Sequence, residues 1–189
     1  MKKVAIIGAG ISGLFIANLF KKKSSNYQIT IFEKNNSINL ENGYGVQLSV
    51  NSVKLLNLIE FDKFEKDKKF NPNKINFYSN KNLDKICDLN ISDFNSKDNK
   101  YTTLKRFDLV NFLRQDLIDL IKIGHSISKI DQEGKNIRLT FQNNENYDCD
   151  YLIISDGVFS KSKNLISKYQ IQPKYNNTLA IRGMIPNSL

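Results

Sequence analysis

Val4-Ala5-Ile6-Ile7-Gly8-Ala9-Gly10-Ile11-Ser12-Gly13 is the stretch on which the reading of this sequence turns. Its four consecutive apolar residues suit a parallel strand buried on both faces. Glycines at G-x-G-x-x-G spacing then make a tight turn. From Ile11 to about Lys23, Leu14, Phe15, Ala17, Leu19 and Phe20 recur as on a helix lying against a sheet. Ser24-Ser25-Asn26 breaks that helix, and Gln28-Ile29-Thr30-Ile31-Phe32 forms a second strand ending at Glu33. Together the pieces make a βαβ unit of about thirty residues, the size a right-handed crossover needs.

Each residue of this fingerprint has a physical task. Gly8 permits the tight turn, Gly10 lacks the Cβ that would hold the backbone away from a pyrophosphate, and Gly13 lets the helix pack closely on the strand. The free N–H groups of the first helical turn then face phosphate oxygens, aided by the helix dipole. Glu33 follows Gly13 by about twenty residues, where a carboxylate accepts hydrogen bonds from ribose hydroxyls and repels a 2′-phosphate. NADP is disfavoured as the ligand of this site. The fingerprint alone leaves FAD and NAD open.

Working outward, Asn35 to Tyr44 reads as loop, Gly45-Val46-Gln47-Leu48 as a short strand and Asn51 to about Ile59 as a helix. After the turn at Asn71-Pro72-Asn73, Lys74–Ser79 and Lys85–Ile91 read as antiparallel strands. Helical spacing predicts a helix over Arg106–Ile121. Ser126–Ile130 and Ile137–Phe141 alternate like strands joined at Glu133-Gly134, and Tyr151-Leu152-Ile153-Ile154 is a second buried-type strand running into Ser155-Asp156-Gly157. A last strand is expected from Thr178 to Met184.

The bulk composition bounds the function. With 189 residues, 40% hydrophobic and 25% charged, the chain is that of a globular protein able to bury a core. The net charge of +9 is spread among acidic residues, with only Lys21-Lys22-Lys23 as a compact run, and no recognised nucleic-acid-binding module accompanies it. A nucleic-acid partner is not expected. Cys87 and Cys149 lie far apart with no metal-ligand spacing, and His125 is the single histidine, so neither a zinc site nor a Ser-His-Asp triad is expected. Lys2-Lys3 before an apolar stretch superficially resembles a signal peptide, but the glycines and Asn18 interrupt it. No other stretch is long enough to span a bilayer, and a cytoplasmic location is the expectation.

Four segments together resemble the FAD-dependent aromatic hydroxylases, the single-component flavoprotein monooxygenases. They are Gly8–Gly13 with Phe32-Glu33-Lys34; Gly45-Val46-Gln47-Leu48-Ser49-Val50-Asn51-Ser52; Leu104-Lys105-Arg106-Phe107-Asp108-Leu109 with Leu113, similar to the family's R-x-x-L-x-x-x-L helix start; and Tyr151–Ser160, similar to its Asp-Gly motif. The resemblance implies an α/β fold: a Rossmann-like FAD-binding domain over residues 1–72 and 104–175, with a β segment of the substrate domain inserted at 73–103. The start of a partial substrate domain would follow at 176–189. It implies that Gly8, Gly10 and Gly13 hold the FAD pyrophosphate, that Glu33 meets the adenosine ribose, that Ser12 and Lys34 are further cofactor-binding residues, and that Arg106 reaches the flavin's phosphate or ribityl region. Arginine suits that task because its planar fork binds phosphate oxygens in pairs, and a cation opening a helix opposes the dipole, which favours a functional reading. Asp156 would serve cofactor and NAD(P)H handling, and Gln47 a contact near the flavin. No catalytic side chain and no metal are implied.

In that family NAD(P)H reduces the flavin and a flavin hydroperoxide hydroxylates a small aromatic-type substrate, so the cofactor carries the difficult chemistry. The expected function is therefore that of an FAD-binding oxidoreductase of monooxygenase type. Two alternatives stand beside it: a related flavin-dependent reductase, and a catalytically incomplete FAD-binding fragment or split-enzyme subunit completed by another polypeptide. The last arises because the family's glycine-aspartate motif has no counterpart here and its members extend further. Halogenases are disfavoured, since the chain has no Trp. A plain NAD-binding module is a further option. Ser155 stands where the family commonly has Ala, and Lys163 where Arg is usual. Arg182 is a candidate for a substrate carboxylate, and His125 is expected to be structural.

Overall fold

The computed structural model describes residues 1–23, 25–38, 44–167 and 172–181. From the N-terminus the elements are β1 (Lys2–Ile7), α1 (Ile11–Lys23), β2 (Tyr27–Phe32), β3 (Gly45–Leu48), α2 (Val50–Asn57), β4 (Lys74–Tyr78) and β5 (Lys85–Asn90). There follow β6 (Thr102–Lys105), α3 (Arg106–Arg114), β7 (Ile121–Lys122), β8 (Ile127–Glu133), β9 (Asn136–Phe141), β10 (Asn146–Cys149), β11 (Tyr151–Ile154) and α4 (Ser162–Ile166). The chain divides into two compact units, one built of Met1–Asn42 and Val110–Arg182, the other chiefly of Gly43–Leu109.

In the first unit, β1 lies inside a parallel sheet of order β11-β1-β2-β7. Val4, Ala5 and Ile6 are wholly buried, which is why this strand is an unbroken apolar run rather than an alternating one. The register sets Ile7 opposite both Phe32 and Ile154, so β1, β2 and β11 end level with one another. Gly8, Glu33 and Ser155 thereby emerge together at the carboxyl edge of the sheet, where open α/β sheets bind their ligands. Leu14 and Ala17 of α1 are fully buried. Elsewhere in the unit an antiparallel sheet of order β10-β9-β8 adds Ile127, Leu139, Phe141 and Cys149 to a core shared with Ala5, Ile7 and Phe32.

The structure departs from the sequence reading at several elements. The helix predicted over Arg106–Ile121 stops at Arg114. Leu117 N–H then donates to the Arg114 carbonyl and Leu120 N–H to the Leu117 carbonyl, tightening the chain into 3-10 geometry, and Ile121 leaves it to pair with Ile31 of β2. Apolar spacing continued past the point where the sheet captured the chain. Strand β10 was hidden by its polar composition, yet Tyr147 packs edge-on against Phe32 at 5.0 Å and its hydroxyl meets Thr30 Oγ1 at 3.0 Å. Of the strand expected from Thr178 to Met184, Thr178–Ile181 have no strand conformation, and the remainder, Arg182 included, lies outside the described residues.

The second unit contains two antiparallel pairs, β3-β6 and the hairpin β4-β5. Ser49 caps α2 by accepting the Ser52 N–H at 3.3 Å. Phe61, Ile91, Thr102 and Leu104 are buried, whereas every residue of β5 is exposed. Hydrogen bonds from Lys85 and Lys74 pull the Asp88 carboxyl down to about 2. Cys87, on β5, is exposed, while Cys149 is 2% exposed and its thiol is pushed up to about 11 by burial. Among the described residues no helix is long and apolar enough to cross a membrane, and no group of three His, Cys, Asp or Glu could hold a metal ion.

Candidate functional site

Sheet-like hydrogen bonding continues beyond the ends of the strands and fixes the glycine turn. Gly8 N–H donates to the Phe32 carbonyl at 2.8 Å, and Ser155 N–H donates to the Ile7 carbonyl at 2.8 Å. Gly8 has a φ of +102°, and a Cβ there would lie 2.5 Å from the Ser155 carbonyl oxygen. Glycine is required twice over, by conformation and by the close passage of the Ser155-Asp156 backbone. A Cβ on Gly13 would lie 2.0 Å from the Gly8 carbonyl oxygen, so α1 can sit this near the turn only with glycine in its first turn. Gly10 differs from both: apart from its two chain neighbours, no atom of the described residues lies within 4 Å of the position its Cβ would take. Its bareness serves nothing within the described chain and leaves room for something outside it.

Glu33 closes the second side. Its Oε2 accepts the Ala9 N–H at 3.0 Å, and its Oε1 accepts the Asn35 N–H at 3.1 Å and the Asn35 side-chain amide at 2.8 Å. The carboxylate is thus held against the glycine turn, with its two oxygens retaining lone pairs for further donors. The Glu33 carbonyl accepts the His125 N–H at 2.8 Å, which ties the segment after β7 to the same edge.

Asp156 closes the third side, after β11. Its Oδ2 accepts the Ser162 N–H at 3.2 Å and the Ser162 hydroxyl at 2.9 Å. Burial would raise its carboxyl, but the hydrogen bonds from Ser160 and Ser162 outweigh burial and hold it below the usual carboxylate range. Ser160 Oγ also accepts the Lys163 N–H at 3.2 Å, so the D-G-x-x-S spacing caps the start of α4 with side-chain oxygens. Asp156 Oδ1 and Ser155 Oγ are buried without a hydrogen-bond partner among the described residues.

A cavity of about 290 Å³ opens among these segments. Of the residues predicted from sequence, Gly8, Gly10, Glu33, Lys34 and Asp156 line it together. Gly13 is buried behind the turn, and Ser12 is exposed in the first turn of α1; neither lines the cavity. Gln47, exposed on β3 and paired with Thr103, and Arg106, the first residue of α3, belong to the second unit. Sequence reasoning did not assign Asn35, Ser155, Phe159 or Lys161 to this wall. For Ser155 a signal existed, a hydroxyl where the resembling family commonly has Ala. His125 also lines the cavity, but its ring is packed against Phe32 and Phe141, its Nδ1 lies 2.6 Å from the Ile123 carbonyl and its Nε2 3.0 Å from Glu145 Oε2. Both ring nitrogens are engaged structurally.

The arrangement fits a dinucleotide. Open space at Gly10 admits a bulky anion beside the first-turn N–H groups of α1, which have no acceptors within their own helix. Glu33 and Asp156 Oδ1 accept hydrogen bonds, as sugar hydroxyls require, and the Ser155 hydroxyl can donate one.

Residues 6–40 match the family model of the NAD(P)-binding Rossmann-like domain. No curated protein sequence matches the chain. Among solved structures, 2,6-dihydroxypyridine-3-hydroxylase from Arthrobacter nicotinovorans is similar, with a TM-score of 0.74 at 15% identity over 93% of this chain and 41% of that one. Klebsiella pneumoniae HpxO, in complex with FAD and uric acid, is similar with a TM-score of 0.70 at 18% identity, over 83% of this chain and 39% of that one. CtdE, in complex with FAD and a substrate, gives a TM-score of 0.76 at 18% identity, over 93% of this chain and 42% of that one. The chain spans about two fifths of the length of these structures. It has the Rossmann-like α/β fold of the FAD-containing monooxygenases, the family its sequence resembles.

Proposed function

We propose that the chain binds FAD at the cavity between the glycine turn, Glu33 and Asp156, as the cofactor-holding part of an oxidoreductase. Its reaction would be the NAD(P)H-dependent hydroxylation of a small aromatic-type molecule. The observation that carries the reading is the empty volume at Gly10 beside two buried polar atoms with no partner among the described residues. A turn that merely packed a helix would need glycine at positions 8 and 13 only.

In this reading Gly10, Ser12 and Gly13 present backbone N–H groups to the pyrophosphate, and Gly8, whose own N–H is taken by the Phe32 carbonyl, shapes the turn that brings them there. Glu33 accepts from the adenosine ribose, and Lys34 lines the cavity as a neighbouring cation. Asp156 accepts from a sugar or ribityl hydroxyl with the oxygen that α4 does not use. Arg106 and Gln47 keep the cofactor contacts implied by the resemblance. Bound FAD would supply the redox chemistry, and the residues of the chain bind and orient it.

A titration of the 189-residue chain with FAD, followed by flavin fluorescence beside an NADH control, tests the proposal. Saturable binding of FAD without NADH is expected. Binding of NADH alone would favour a second reading, a plain NAD-binding module, which the description of the matching family model supports. Binding of neither would remove both.

A further inference from the structure

Beyond the fingerprint, Ser155, a residue that lines the cavity, carries a buried hydroxyl that has no partner among the described residues. Ser155 follows β11, and its N–H donates to the Ile7 carbonyl at 2.8 Å, which fixes the backbone. Its carbonyl side is pressed against Gly8, where a Cβ would meet the Ser155 oxygen at 2.5 Å. The backbone of Ser155 is therefore fully used in holding the turn. Its side chain is not: Oγ is buried and without a partner among the described residues, and Ser155 lines the cavity beside Gly8, Gly10 and Asp156. Folding selects against such an atom, because burial strips its water and nothing replaces it. An alanine would fill the same space without that cost.

We propose that the Ser155 hydroxyl is a dinucleotide-binding group, donating a hydrogen bond to a pyrophosphate oxygen of the bound cofactor. The inference rests on the dinucleotide reading of the cavity and adds to it a residue outside the glycine fingerprint. Two features favour phosphate as the partner. Ser155 touches the glycine turn, whose bare Gly10 is the place an anion can approach. The other unpartnered atom, Asp156 Oδ1, belongs to a carboxyl held below its usual range, and a carboxylate can only accept. A ligand meeting both atoms must bring a donor for Asp156, and an acceptor beside it would take the one proton that the Ser155 hydroxyl can donate. The sugar–pyrophosphate junction of a dinucleotide has both.

The test compares wild type with Ser155→Ala in two measurements, thermal unfolding of the ligand-free chain and titration with FAD and with ADP. A ligand-binding hydroxyl predicts opposite signs. Ser155→Ala is expected to keep or raise the melting temperature of the free chain, since an unsatisfied buried hydroxyl is removed, and to weaken FAD and ADP about tenfold each. Unchanged affinity for both ligands would overturn the proposal while leaving the FAD site standing. A lower melting temperature of the free chain with affinity reduced in step would make Ser155 structural. Loss of affinity confined to FAD would overturn the pyrophosphate assignment. Failure of the wild type to bind either ligand would remove the cavity reading and this inference with it.

Discussion

At Gly10 and Gly13 one and the same substitution meets opposite surroundings. A Cβ on Gly13 runs into the Gly8 carbonyl at 2.0 Å, and that oxygen belongs to a turn fixed by sheet hydrogen bonds. Gly13→Ala is expected to destabilise the chain by about 1–3 kcal/mol, the range for an overpacked site, read as a fall in melting temperature. Gly10→Val puts its Cβ where no described residue beyond the chain neighbours comes within 4 Å, and it should unfold within about 1 kcal/mol of wild type, yet abolish FAD binding. Wild-type affinity in that variant would remove the site. Arg106→Ala should weaken FAD more than it lowers stability, and equal losses in both would make Arg106 structural. These residues differ in how plainly the sequence announced them. The glycines, Glu33 and Asp156 stood in motifs whose spacing has a physical cause. Ser155 was visible only as a departure from a pattern, because a lone serine beside Asp-Gly has no periodicity or spacing to mark it. Its meaning came from burial without a partner.

Among the elements, α4 shows how a motif read as a site also builds the fold. Ser162 is wholly buried and gives both its N–H and its hydroxyl to Asp156 Oδ2. Ser162→Ala is expected to cost about 1 kcal/mol in denaturant unfolding, the net worth of one such bond. Asp156 makes part of this stability depend on pH. Its folded carboxyl is held below the usual range, so its contribution is complete above the unfolded-state value of about 4 and fades as pH falls through the folded one. In Asp156→Asn the loss relative to wild type should therefore shrink in melts below about pH 4. A constant difference from pH 7 downward would mean that the charge contributes nothing. Element reading from sequence succeeded where an apolar run or a periodic pattern was strong, at β1, α1, β2, β9 and β11. It overran α3 because Leu117 and Ile118 prolong an apolar pattern that pairing of Ile121 with Ile31 cuts short. It missed β10 and α4 because Asn146–Cys149 is mostly polar and Ser162–Ile166 is a single turn and a half.

Across the whole molecule, stability should be uneven. Among the described residues, the strand β1 is paired on both sides and buried from Val4 to Ile7, whereas β4 and β5 pair only with each other and leave Phe77, Tyr78, Ile86 and Leu89 exposed. Amide hydrogen exchange is expected to be slowest in Val4–Ile7 and faster by orders of magnitude in β4 and β5, since opening a two-stranded hairpin exposes little new apolar surface. Equal protection in both would mean that the units unfold as one. FAD should slow exchange in the segments after β1, β2 and β11, because a ligand bound only to the folded form stabilises by mass action. That the three segments share one sheet edge follows from register, which sequence spacing does not reveal.

The two cysteines give the chain a built-in selectivity for chemical tagging. Reaction with a maleimide requires an accessible thiolate, and Cys149 offers neither access nor a readily lost proton. Cys87 stands alone on an exposed strand. One dye per folded chain would therefore land on the hairpin without mutagenesis, and a second equivalent would be taken up only on unfolding. Since the sequence has no Trp, emission from such a dye would be free of indole background. The wild-type protein could thus count its own unfolded molecules, one thiol at a time.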